Sequence, residues 1–254
     1  MAHIEGKIMS KTIKSYYLKQ KDRLMKDFSQ TIELMNDPLN ERFGKELSLK
    51  IEKEIRLEYE TLIPEIPYTA GFRSKMFNNF IIITAQELAA YKALSRYDLN
   101  NDEIWELCYQ AICLRLKAMN LWKKRLISLF WNLIFSNMLK IRAWRNKKEY
   151  FAGFELEYIS GQGEDFDIGI NYTSCGNYEF MNKHGGEEFT PYICLTDIAL
   201  SKAFNWGLNR TQTIADGCDY CDFRFKKGSP TEVSSKLPGV QQVIEKTAYK
   251  YKVN

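Results

Sequence analysis

Along the first half of the chain, apolar residues recur every three or four positions, the spacing of one face of a helix. Over residues 7 to 36, Ile8, Ile13, Tyr16, Tyr17, Leu24, Met25, Phe28, Ile32 and Leu34 stand in a field of Lys and Asp and predict an amphipathic helix. Asn36-Asp37-Pro38 is expected to end it, because a proline disfavours helical geometry at the residue before it. A second helix is predicted over residues 39 to 62, stopping before the stiff connector Pro64-Glu65-Ile66-Pro67. A third, over residues 73 to 95, is apolar around much of its circumference and is expected to be well buried. Asn101 or Asp102 can cap a fourth, in which Cys108 and Cys113 sit among Ile104, Leu107, Ala111 and Ile112 and read as small core hydrophobes. A long helix over residues 120 to 147 is expected to follow, with the apolar run 126 to 139 as a central core element.

Then the period changes. Residues 154 to 158 and 166 to 170 alternate strictly, with Gly161-Gln162-Gly163 between them, which predicts a β-hairpin with one apolar and one acidic face. The alternating Glu155, Glu157, Asp165 and Asp167 read as a solvated face rather than a cation site. A short helix is predicted over residues 174 to 184, ended by Gly185-Gly186. Another is predicted over 191 to 204, with Pro191 in its first turn, which would put Cys194 and Asp197 on one helical face. Two strands, 210 to 215 and 220 to 226, would close the domain around an Asp216-Gly217 turn. On the first of these, Thr211 and Thr213 would face opposite to Arg210. After Gly228-Ser229-Pro230 the tail is polar, with a peripheral helix. The organisation expected is α+β: a helical N-terminal half, then a compact antiparallel sheet with packed helices. Residues 1–62 would be a helical extension, 63–228 the α+β domain and 229–254 a tail.

Composition narrows the partners. The chain has 254 residues, 45% hydrophobic and 27% charged, with a formal charge of +4. That balance, with no recognisable binding motif, argues against a nucleic-acid partner. The run 126 to 139 is too short and interrupted to span a bilayer. Although Lys123, Lys124, Arg125, Lys140, Arg142 and Arg145 bracket it, the core reading is preferred and no membrane partner is expected. The same run could serve as a dimer interface, so a homo-oligomer stays open. The N-terminus lacks the pattern of a secretion signal, so the six cysteines are expected to be reduced thiols in a cytoplasm.

Chemistry concentrates between residues 175 and 225, which hold four of the six cysteines and one of the two histidines. Phe154-x-x-x-Tyr158, Gly161-x-Gly163-x-Asp165-Phe166-Asp167-x-Gly169, Cys175, Pro191-Tyr192-x-Cys194-x-x-Asp197 and the closing string Leu208-x-Arg210-Thr211-x-Thr213-Ile214-Ala215-x-Gly217-x-x-x-Cys221-Asp222-Phe223-Arg224 carry a resemblance. Together they resemble the L-2-amino-thiazoline-4-carboxylic acid hydrolase family over about residues 60 to 226. Cys218 departs from the expected pattern and creates a Cys-x-x-Cys with Cys221.

The resemblance implies hydrolysis of a cyclic isothiourea to a carbamoyl-cysteine, with a small carboxylate-bearing substrate and no cofactor. Such a reaction needs a nucleophile or activated water, a proton donor for the leaving atom and a cation for the substrate carboxylate. Cys175, expected to open a helix whose dipole favours its thiolate, is the candidate nucleophile, with His184 or Asp197 handling protons. Arg210 is the candidate carboxylate clamp, and Cys194, Thr211, Thr213 and Cys221 are candidates for lining the substrate site. Two rivals stand beside this. Cys175, Cys194, Cys218 and Cys221 could form a four-thiolate zinc site, as in the vinyl-reductase-type domains that the Cys221-x-Phe223 turn faintly resembles. The chain could also be a non-catalytic small-molecule sensor of the same fold.

Overall fold

The computed structural model describes residues 16–71, 74–130, 148–151 and 153–251. The second half of the helix expected over 120 to 147 therefore lies outside the described residues. The fold is α+β, and the chain divides into two compact units. One comprises Met1–Ala111 with Glu179–Phe189, the other Ile112–Tyr178 with Thr190–Asn254.

In the first unit, helix α1 (Lys21–Leu62) runs straight past the proline that was expected to stop it. Leu24, Phe28, Ile32, Met35, Pro38 and Leu39 are all buried along it, so the apolar stripe continues across Pro38 and its burial outweighs the lost hydrogen bond. The break comes instead at Gly44, whose backbone (φ 74, ψ 163) is not helical. Beyond it Ile51, Ile55, Tyr59 and Leu62 resume the buried stripe. Helix α2 (Ser74–Leu94) packs against α1, and Phe28 meets Tyr59 at 4.5 Å between ring centroids. Helix α3 (Asn101–Ala118) follows, with Cys108 and Cys113 buried as expected.

Most of the run 126 to 139, expected as a core element, lies outside the described residues; its start falls in helix α4 (Leu121–Phe130). None of its described side chains is buried, and Leu121, Trp122, Leu126 and Leu129 are 73, 59, 54 and 55% exposed. Its less exposed residues are Lys124 and Ser128. The apolar stripe is real, but it faces outward.

The second unit is built on a six-stranded sheet in the order β1-β2-β3-β5-β4-β6. The strands are β1 (Lys148–Phe151), β2 (Phe154–Ser160), β3 (Ile168–Ser174), β4 (Leu208–Arg210), β5 (Cys221–Phe225) and β6 (Glu232–Val233). Every pairing is antiparallel except that of β4 with β6. The predicted hairpin is β2 and β3, with Phe154, Leu156 and Tyr158 buried on alternate positions. Between β3 and β4 in the chain come three helices: α5 (Gly176–Lys183), most of which belongs to the first unit, α6 (Thr190–Ile193) and α7 (Thr196–Phe204). The tail forms α8 (Val240–Tyr251).

Two local expectations fail in this unit, and both failures shape the site. The helix expected over 191 to 204 is two helices with Cys194 and Leu195 between them. The strand expected over 210 to 215 stops at Arg210, and residues 214 to 216 form a short 3-10 turn. Thr213 makes that turn by accepting from the Asp216 N–H, so its hydroxyl competes with strand pairing.

Candidate functional site

Helix α7 and strand β4 are fastened at two points, one turn apart on the helix. Ser201, completely buried, accepts from the Leu208 N–H at 3.1 Å and shares a hydrogen bond with Thr231 at 2.7 Å. Four residues earlier, on the same helix face, Asp197 accepts from Arg210 Nη1 at 2.6 Å. Asn205, in the left-handed conformation, ends α7. Gly207 then brings the chain against β5 so closely that a Cβ there would lie 1.9 Å from the Lys226 carbonyl oxygen. Only glycine fits this approach, which sets β4 beside β5.

Arg210 is held on several sides. It is 2% exposed, its Nη2 donates to the Cys194 carbonyl at 3.0 Å, and its guanidinium lies over the Phe223 ring at 5.2 Å. The break between α6 and α7 explains the carbonyl contact, since a helix end leaves carbonyl groups without helical partners. Cys194 therefore joins the site through its backbone, from a turn, and does not share a continuous helix face with Asp197. The Arg210 Nε–H is buried without a hydrogen-bond partner.

Around this ion pair the electrostatics join three thiols and a phenol. Burial drives the Cys194 thiol well above its ordinary range, with Arg210 opposing and Cys175, Cys221 and Asp197 adding to the rise. Burial likewise pushes Cys221 up to about 12, although its sulfur accepts from the Ile214 N–H at 3.2 Å. Both are neutral thiols at pH 7. Asp197 is raised above the usual carboxylate range by burial, with Arg210 pulling the other way. Its side chain still keeps 29% exposure, so the carboxyl is reachable while its partner is not. Cys175 is half-buried, one residue before α5, and acts on Cys194, Cys221 and Tyr172.

Other expected site residues lie elsewhere or serve the scaffold. His184 follows the last residue of α5 and belongs to the first unit. Its ring is 4.6 Å from that of Phe180, and its carbonyl accepts from Lys92. Burial, Lys183 and Lys92 lower its pKa, with Glu65 opposing. Thr211 is exposed and donates to Asp222, whereas Thr213 is buried and donates to Asp216 at 2.6 Å. The strand end has aimed them differently, so they do not share a face. Among the described residues, no three His, Cys, Asp or Glu side chains are placed to hold a metal ion. Cys218 lies in the turn, its N–H donating to the Thr213 carbonyl at 3.1 Å.

The family model described as L-2-amino-thiazoline-4-carboxylic acid hydrolase matches residues 75–225, more than half of the chain. The chain belongs to the L-2-amino-thiazoline-4-carboxylic acid hydrolase family. No curated protein and no solved structure matches it. The hydrolase-family segment ends on Phe225, the last residue of β5, and so takes in the Asp197–Arg210 pair and all three thiols around it. It also takes in Tyr172, which the sequence pattern does not single out. Tyr172 stands opposite Cys221 in the β3–β5 register, with its ring 5.0 Å from that of Phe223. Burial raises its phenol well above the ordinary value, with Asp197, Tyr158, Cys175 and Cys221 adding to the effect. The one signal that could have found it is register: β3 must pair with the strand that carries Cys221. Among the described residues, no helix is long and apolar enough to cross a membrane.

Proposed function

We propose that this family member is a hydrolase that opens a small cyclic isothiourea, such as 2-amino-thiazoline-4-carboxylate, to a carbamoyl-cysteine. The observation that carries the reading is a partly accessible carboxyl with a raised pKa, paired to a buried arginine and set among thiols, inside the matched segment. A carboxyl raised above its usual range is a better proton acceptor than an ordinary one.

In the proposed mechanism Cys175 attacks the ring carbon bonded to sulfur and two nitrogens, and Asp197 takes the thiol proton. The ring carbon–sulfur bond breaks, and the leaving thiolate receives a proton. Water then adds to the enzyme-bound carbon and expels Cys175, which recovers its proton, so one water is consumed per turnover. Tyr172, neutral at pH 7, is the proposed donor to the nitrogen that gains electron density. Arg210, 2% exposed, orients Asp197 from beneath the site rather than meeting the substrate itself. Cys194 and Cys221, kept neutral by burial, line the substrate. Asp197 takes the proton-transfer role left open between it and His184, since Asp197 shares the electrostatics of the thiols.

The test is incubation of the purified protein with 2-amino-thiazoline-4-carboxylate, with and without a chelator, followed by mass spectrometry of product and protein. A carbamoyl-cysteine formed equally under chelation supports the thiol and carboxyl chemistry. Activity lost together with released zinc would reassign the cysteines as ligands. Thiol titration of the product identifies the bond: loss of ring sulfur leaves N-carbamoyl-cysteine with a free thiol, whereas loss of ring nitrogen leaves S-carbamoyl-cysteine. Complete absence of product would sink this substrate.

A further inference from the structure

Helix α4 is inside out. At about 100° per residue, Trp122, Leu126 and Leu129 fall within about 60° of one another, on the far side from Lys124 and Ser128. The first three are more than half exposed, and the last two are the less exposed residues of the helix. The helix packs against α7, so its polar side is the one turned toward protein. A surface helix ordinarily does the reverse.

The charge along this stretch of the sequence is equally one-sided. Between residues 107 and 148 the sequence has ten Lys and Arg and no Asp or Glu. The rest of the chain keeps twenty-six cations against thirty-two acids and is net acidic. Lys123 and Arg125 flank the apolar stripe directly, and both are exposed.

We propose that α4 docks this protein on an anionic lipid surface, with Trp122, Leu126 and Leu129 entering the headgroup layer and Lys123 and Arg125 meeting lipid phosphates. Tryptophan and leucine beside fixed cations are what such a helix needs: apolar area supplies adhesion, and charge selects the surface. A second copy of this chain fits less well. A two-fold contact lays the patch on itself, which would oppose Lys123 and Arg125 to their own copies. The docking is read as peripheral, since among the described residues no helix is long and apolar enough to cross a membrane. This inference is independent of the hydrolase reading.

The test is flotation of the full chain with phosphatidylcholine vesicles, with and without phosphatidylglycerol, at low and high salt. Binding is expected only to the anionic vesicles and should fall at high salt. Lys123→Gln and Arg125→Gln should each weaken it about fivefold. Brominated acyl chains should quench tryptophan emission in the native chain, and Trp122→Phe should lose most of that quenching with unchanged circular dichroism. Equal binding to neutral vesicles, or none to either, would overturn the proposal. So would a dimer in lipid-free sedimentation that Leu126→Ser dissolves, since a second copy would then cover the face. Binding to RNA that needs the cations but not Trp122 or Leu126 would likewise replace the lipid as partner.

Discussion

Asp197 and Asp222 bond to neighbouring residues of one short stretch of chain and do different work. Asp222, on β5, accepts from the Thr211 N–H at 2.9 Å, the Thr211 hydroxyl at 2.6 Å and the Gln212 N–H at 2.8 Å. Both of its oxygens are used, and they fix the exit of β4. Asp197, on α7, meets Arg210 through Oδ2 alone, and its carboxyl is raised by burial. A carboxylate surrounded by donors is a fastener. One that is desolvated, partly reachable and tied by a single cation keeps an oxygen for chemistry.

The largest effect expected from this difference is on turnover. Asp197→Asn should lower kcat on 2-amino-thiazoline-4-carboxylate by about 10²–10⁴-fold, the usual worth of a positioned proton-transfer group. Asp222→Asn should lower it by less than about tenfold, since it only loosens a turn. Equal losses in steady-state assays of the two variants would erase the distinction between them. Cys175→Ala should abolish turnover to at least about 10³-fold below the native rate. Cys194→Ser and Cys221→Ser should stay within about tenfold of native, because neutral thiols do not attack. Retained activity in Cys175→Ala, measured by product formation, would remove the covalent step and leave water activated by Asp197.

A smaller separation is expected in stability. Asp197→Ala leaves a nearly inaccessible guanidinium without its counter-ion, and should cost about 2–4 kcal/mol by urea denaturation. Asp222→Ala loses exposed hydrogen bonds that water can replace, and should cost about 1–2 kcal/mol. If Asp222→Ala proved the more damaging, the exit of β4 rather than the ion pair would be what holds α7 to the sheet.

How much of this was legible beforehand follows from what each pattern encodes. The β2–β3 hairpin could be read because alternation and the glycines between the strands agree, and local signals were sufficient. The clustering of cysteines with Asp197 and Arg210 could be read from composition and family resemblance. The pairing of Asp197 with Arg210 could not, because thirteen residues separate them and the helix break at Cys194 and the strand stop at Arg210 together set their meeting. Pro38 misled because its rule is local, whereas the buried stripe through Met35 and Leu39 is tertiary. Helix α4 shows a different limit. Periodicity shows that an apolar face exists, and it is silent about which way that face points.

The last effect is the smallest, and its sign tests the electrostatic half of the comparison. The folded pKa of Asp197 lies above its ordinary value of 3.8, so the folded state holds its proton more tightly than the unfolded chain. Its contribution to stability is then fully present below about 3.8 and is lost as pH rises through the higher, folded value. Across that window the unfolding free energy should fall by at most about 1.4 kcal/mol per pH unit on this group's account. Denaturant melts at a series of acidic pH values should show that downward component in the native chain and lack it in Asp197→Asn. Asp222→Asn should leave it in place. A component of the opposite sign, with Asp197 stabilising the fold only as pH rises above the ordinary carboxylate range, would mean that Arg210 outweighs desolvation. Asp197 would then be a fastener of the same kind as Asp222, and the proton-transfer role would pass to another group.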